Sequence, residues 1–94
     1  MQTALVTNNE DESQYEMQTE AGLAVLEYMR EGNRIALVHT EVPKALEGRG
    51  LGAALVKFAL ADARARKMRV LPMCSFVRAY VAKHPEYASL VAKS

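Results

Sequence analysis

The sequence predicts an α/β (α+β) fold: an antiparallel three-stranded meander, then a helix, a parallel strand and a second helix. Three observations carry this expectation. Strand-like stretches flank the turn signal Glu31-Gly32-Asn33, an alanine-rich stretch with helical spacing fills residues 51–67, and a short apolar run follows it. A strand that returns to its sheet through a helical crossover lies parallel to the strand it left.

The elements follow in chain order. Residues 4–7 can extend, but 8–13 are polar and acidic and read as a turn or loop. Residues 14–19 alternate polar and apolar, with Tyr15 and Met17 on one side, as a half-buried strand does. Glu20-Ala21-Gly22 supplies a turn, and 23–30 form the second strand. Gly32 and Asn33 tolerate positive φ and mark the hairpin. The third strand, 34–42, is dense in aliphatic residues and stops at Pro43, which has no N–H to give a ladder.

The pattern then changes. Alanine occurs six times between residues 51 and 67, which favours helix. Leu51, Leu55, Phe58 and Ala59 recur on one helical face, opposite Lys57, Asp62, Arg64 and Arg66. Residues 69–73 suit a buried strand. Ser75 caps a second helix running to about Lys83, with Phe76, Val77, Tyr80, Val81 and His84 as its apolar face. Pro85 ends it, and residues 86–92 hold one more helical turn.

Ninety-four residues, half of them hydrophobic and a quarter charged, give residues 1–94 as a single small domain. Such a chain buries only about 60–65% of the surface its unfolded form exposes. No apolar run approaches the roughly 20 residues of a membrane span. The opening residues lack the charged and apolar regions of a signal peptide, so the expectation is a cytoplasmic protein with no membrane partner. The single cysteine, Cys74, rules out an internal disulfide and any zinc site of several thiolates. Two histidines without ligand spacing point to no metal.

Charge is split. Residues 1–47 carry three basic against nine acidic side chains, a balance of −6, and residues 48–94 carry nine basic against two acidic, a balance of +7. Such asymmetry marks an anionic partner for the basic half, or nothing beyond a solvated surface. The basic residues are not clustered with aromatics, so nucleic acid is not the expected partner.

Between the third strand and the first helix lies Gly48-Arg49-Gly50-Leu51-Gly52. A helix N-terminus leaves about four N–H groups unpaired and carries partial positive charge, so it receives phosphate. Glycines remove the Cβ atoms that would hold a phosphate off. The spacing does not fit a dinucleotide fingerprint, and the lysine-serine pair of a phosphate loop is absent. A tight turn that binds nothing is the plain alternative.

Strand, glycine turn and helix together resemble the acetyl-coenzyme A signature of the GNAT superfamily of N-acetyltransferases. That signature is Gln or Arg, two residues, Gly, one residue, then Gly or Ala. Gly50 and Gly52 match, and Glu47 departs from it. The chain is more closely similar to the small stand-alone acetyltransferase-like subgroup through four motifs in order. These are His39-Thr40-Glu41-Val42-Pro43, the glycine turn, Pro72-Met73-Cys74-Ser75-Phe76, and His84-Pro85-Glu86-Tyr87. The resemblance spans about residues 15–87.

It implies a GNAT-like fold in which the third and fourth expected strands splay apart. The pantetheine arm of acetyl-CoA would pass through the gap, past Thr40, Val42 and Ser75. The pyrophosphate would rest near Glu47 on the amides of Gly48, Arg49, Gly50, Leu51, Gly52 and Ala53, with the Arg49 side chain either on a phosphate or simply exposed. The superfamily's usual helices between its first two strands have no counterpart, so the acceptor cleft is expected to be open.

Acetyl transfer to an amine needs a base, a polarised thioester and a proton for the leaving thiolate. His39 and Glu41 share a strand face at spacing two and are candidate bases, with packing beside the core or plain exposure as their ordinary roles. Cys74 is a candidate nucleophile, a pocket-lining residue or a core side chain. Tyr80 stands where many GNAT enzymes carry a tyrosine that protonates the thiolate, or is a core aromatic. The expected function is transfer of acetyl from acetyl-CoA to an amine, a lysine or other exposed cationic amine of a peptide or protein. The alternative is a non-catalytic coenzyme A thioester-binding or protein-interaction module of the same fold.

Overall fold

A computed structural model describes residues 5–92. Five strands form one sheet in the order β1-β2-β3-β4-β5: β1 Val6–Asn9, β2 Gln14–Thr19, β3 Gly22–Glu31, β4 Arg34–Glu41 and β5 Arg69–Pro72. The first four run antiparallel, and β5 returns parallel to β4 after helix α1, Leu51–Ala65. Helix α2, Ser75–Lys83, follows, with 3₁₀ turns at Lys44–Leu46 and Pro85–Leu90. No helix among the described residues is long and apolar enough to cross a membrane.

The meander therefore has four strands where the sequence suggested three. Asn8 and Asn9, read as loop, are strand residues because their amides have cross-strand work. The Tyr28 hydroxyl donates to Asn8 Oδ1 at 2.7 Å, and Asn9 Nδ2 donates to the Glu16 carboxylate at 2.8 Å. Residues 10–13 make the turn into β2, and Ala4 lies outside the described residues. The last helical turn is the 3₁₀ segment Pro85–Leu90, after which Val91 bridges Val70 at the sheet edge.

Register assigns the two faces. Tyr15 pairs with Leu26, Leu26 with Thr40, and Tyr28 with Leu37, so these residues share one face. That face holds the buried cluster, into which α1 sends Leu55, Val56, Ala59, Leu60 and Ala63, and α2 sends Val77. Helix α1 thus buries a stripe wider than the sequence suggested, and Phe58 sits at its margin, edge-on to Tyr15. The alternate residues of β3, namely Leu23, Val25, Glu27 and Met29, face the other way. Met29 is 68% exposed there. An antiparallel sheet tolerates one solvated face.

One polar contact ties α1 to the meander. The Tyr15 ring is fully buried, and its hydroxyl donates to Asp62 at 2.8 Å. Burial first, and the Asp62 carboxylate second, push the phenol well above its ordinary range. Tyr15→Phe is expected to lower stability by about 1–2 kcal/mol, since it leaves a carboxylate oxygen without its donor. The measurement is a shift of the urea midpoint at unchanged slope. Met29→Gln, on the solvated face, should stay within about 0.5 kcal/mol.

Candidate functional site

The site begins where β4 and β5 part. Their parallel pairing runs from Arg34 with Arg69 to Leu37 with Pro72. Pro72 has no N–H to extend a ladder. Beyond it the Leu37 carbonyl accepts from both the Met73 and the Cys74 N–H, at 3.0 and 2.9 Å. The chain then turns into α2, while β4 continues to Glu41. Residues 38–41 of β4 thus have a backbone edge with no strand beside it on the β5 side. Across this gap Thr40 Oγ1 and Cys74 Sγ lie 3.6 Å apart.

Above the gap the glycine turn leads into α1. Gly48 and Gly50 have φ of 84° and 82°, a region that side chains rarely adopt. Gly50 is the N-cap and has no side chain to satisfy the first-turn amides. Gly52 is glycine for a different reason. A Cβ there would meet the Phe76 ring at 3.1 Å, so the N-terminal turns of the two helices pack in direct contact.

These elements enclose a cavity of about 360 Å³. Of the residues the sequence singled out for a coenzyme, Thr40, Val42, Glu47, Gly48, Gly50, Leu51, Gly52 and Ala53 line it. Arg49 and Ser75 do not, and both are exposed. Leu46 and Phe76 complete the wall and were not singled out. Phe76 looked like core on helical spacing, but it is 44% exposed. Its place beside a glycine one helix away was not visible locally.

Cys74 precedes α2, and its thiol is half-buried. Partial burial pushes the thiol up. The backbone N–H groups of Val77 and Phe76, together with the Thr40 hydroxyl, outweigh burial and bring it below its ordinary value. The thiol therefore stands at the positive end of a helix and at the edge of the gap.

His39 and Glu41 share a face, as their spacing suggests, but that face is the solvated one, away from Thr40. A bulge at Val38 decides this: Tyr28 pairs with Leu37 and Glu27 with His39, leaving one extra residue on β4. Without it His39 would point toward the helices. The bulge also sets His39 opposite Glu27, a residue with no distinguishing mark in the sequence. One potential ligand atom from each of Glu27, His39 and Glu41 lies within 4.8 Å of the others. Among the described residues this is the one group of its kind close enough to share a cation or a proton.

Tyr80 lies elsewhere. It stacks on His84 with centroids 4.0 Å apart, and His84 Nδ1 donates to the Tyr80 carbonyl at 2.8 Å. Burial, then the neighbouring Tyr87 and Glu86, raise the Tyr80 phenol. Tyr80 does not line the cavity. His84 and Tyr87 tie down the C-terminal turn.

Comparison with known proteins places this arrangement. The sequence matches the family described as GCN5-related N-acetyl-transferase over residues 14–90. No curated protein sequence matches it. The structure is similar to the solution structure of a GCN5-like protein from Staphylococcus aureus, with a TM-score of 0.75 and 24% identity. The match covers 100% of this chain and 93% of that one, and at this identity it speaks for the fold alone.

The Cys74 environment has a direct readout. The rate of alkylation by iodoacetamide should rise with a midpoint below the roughly 8.5 of a free cysteine. Thr40→Val removes a donor to the thiolate and should move that midpoint upward. A wild-type midpoint at or above the free value would contradict the helix-end placement of the thiol.

Proposed function

The chain belongs to the GCN5-related N-acetyltransferases, and on that premise we propose that it binds acetyl-CoA in the 360 Å³ cavity and transfers the acetyl group to an amine. The observation that carries the reading is the glycine turn. Its left-handed glycines bring the uncapped amides at the start of α1 to the cavity wall. A pyrophosphate fits there because no Cβ stands at Gly48 or Gly50. The free edge of β4 at residues 38–41 offers backbone groups to the amides of a pantetheine arm, as a neighbouring strand would. Ser75 and Arg49, outside the lining, would reach the coenzyme from exposed positions, Arg49 at a phosphate.

Acetyl-CoA supplies the activated thioester, and the chain supplies position and protons. Thr40 and Cys74 lie at the gap, where the acetyl end of the coenzyme would sit; Cys74, outside the cavity lining, engages the Thr40 hydroxyl rather than carrying acetyl. On the solvated face Glu27, His39 and Glu41 form the candidate base for the acceptor amine. Tyr80 keeps its proton at neutral pH, as a donor to the thiolate must. From outside the cavity lining it would act through water. The acceptor is a lysine or other exposed cationic amine of a peptide or protein. Glu16, Glu27 and Glu41 share the uncovered sheet face, and such carboxylates attract a cation.

The engagement of Tyr80 with His84 favours a second reading, a module that holds the thioester without turnover. Consumption of acetyl-CoA with lysine peptides separates the two, and no consumption with any amine leaves only the module. For an active enzyme, apparent affinity for a basic peptide should fall between about 0.1 and 1 M salt. Over that range the Debye length shrinks from roughly 10 to 3 Å.

The coenzyme assignment has its own tests. Acetyl-CoA should raise the melting temperature by mass action, and Gly50→Val should abolish the rise by filling the phosphate cradle. Equal rises in both folded proteins would remove the assignment. Glu47→Gln should tighten binding several-fold, most at low salt, because it removes a like charge from the phosphate site. Cys74→Ala should keep transfer within about tenfold, or 1.4 kcal/mol of barrier. An acetyl-cysteine adduct formed during turnover would assign the thiol a covalent role instead.

A further inference from the structure

At the other end of the sheet a second cavity, of about 250 Å³, is lined by Arg34, Arg69, Ala88, Ser89, Val91 and Ala92. Arg34 and Arg69 are register partners on the parallel strands β4 and β5, so their backbones lie about 4.8 Å apart. Both arginines therefore reach this cavity from adjacent strands, at the start of β4 and β5. The third wall is the C-terminal segment, held where the Ala92 N–H donates to the Val70 carbonyl at 2.8 Å. Arg69 donates to the Ser89 carbonyl, which fixes the direction of its planar group.

Among the described residues no carboxylate lines this cavity. Among the described residues neither arginine forms an ion pair, and Glu31, facing Arg34 across the hairpin, makes none with it. Adjacent like charges repel, and a guanidinium presents parallel N–H groups that match an oxyanion in pairs. The apolar side chains of Ala88, Val91 and Ala92 shield one side, which strengthens a charge-assisted bond. The coenzyme phosphates cannot serve here. Thr40, at the first cavity, is six residues along β4 from Arg34, about 20 Å away.

We propose that this cavity binds a small oxyanion, a phosphate or a carboxylate group, between the guanidiniums of Arg34 and Arg69, independently of acetyl-CoA. The bound anion joins the C-terminal segment to β4 and β5. It also engages two arginines that the first cavity leaves unused.

The test is a ¹H–¹⁵N NMR titration of the full chain with inorganic phosphate and, separately, with acetate. Ionic strength is held constant with chloride. Saturable shifts are expected at the amides of Arg34, Arg69 and residues 88–92, and the anion that saturates at lower concentration identifies the group. Arg34→Gln should weaken that binding by about tenfold or more, the loss of a paired charge-assisted contact, and leave acetyl-CoA binding unchanged. The Arg34 side chain makes no hydrogen bond among the described residues, so the variant should keep its fold, checked by unchanged amide dispersion elsewhere. Shifts that never saturate, that chloride reproduces, or that persist in Arg34→Gln would overturn the site. Displacement of phosphate from these amides by acetyl-CoA would do so as well.

Discussion

The site depends on the Leu37 carbonyl accepting two successive N–H groups. A parallel ladder gives each carbonyl one regular partner and keeps its strands evenly spaced. Here Pro72 interrupts the donors, and Met73 and Cys74 both turn back to Leu37. β5 leaves the sheet at that point, while β4, stabilised by its antiparallel partner β3, runs on. A free strand edge, the Thr40–Cys74 contact and the start of α2 all follow from this one divergence.

Two helix N-termini converge on the space it opens. Helix α1 begins at Gly50 and α2 at Cys74, and the contact of Phe76 with Gly52 holds their first turns together. Each end carries about half a positive charge from its aligned peptides. One serves the cavity wall, and the other draws the Cys74 thiol downward. Crowding is thus part of the electrostatics: a larger residue at position 52 would push the two ends apart.

The solvated face has a different logic. Both helices pack against the face that carries Tyr15, Leu26 and Leu37, so the opposite face depends on polar side chains for its solubility. Asn9 and Gln14 both donate to Glu16 on that face. The bulge at Val38 adds His39 and Glu41 to the same surface while leaving Thr40 on the helix side. A single extra residue therefore puts candidate proton-transfer groups on one side of β4 and the first cavity on the other.

Features governed by neighbours in the chain were legible in the sequence. The Gly32-Asn33 turn, the alanine-rich α1, the glycine turn and the order of the last three elements rest on backbone preference and periodicity, which act over a few residues. Most residues singled out in the sequence for a coenzyme line one cavity because a strand end, a glycine turn and a helix start are contiguous. What the tertiary structure alone decided depends on register between distant segments. β1 exists because Asn8 finds Tyr28. Glu27 joins His39 through cross-strand pairing. Arg34 and Arg69 become neighbours only when β5 returns beside β4. Local propensity carries no information about such pairings, because their energy appears only once the chain has closed on itself.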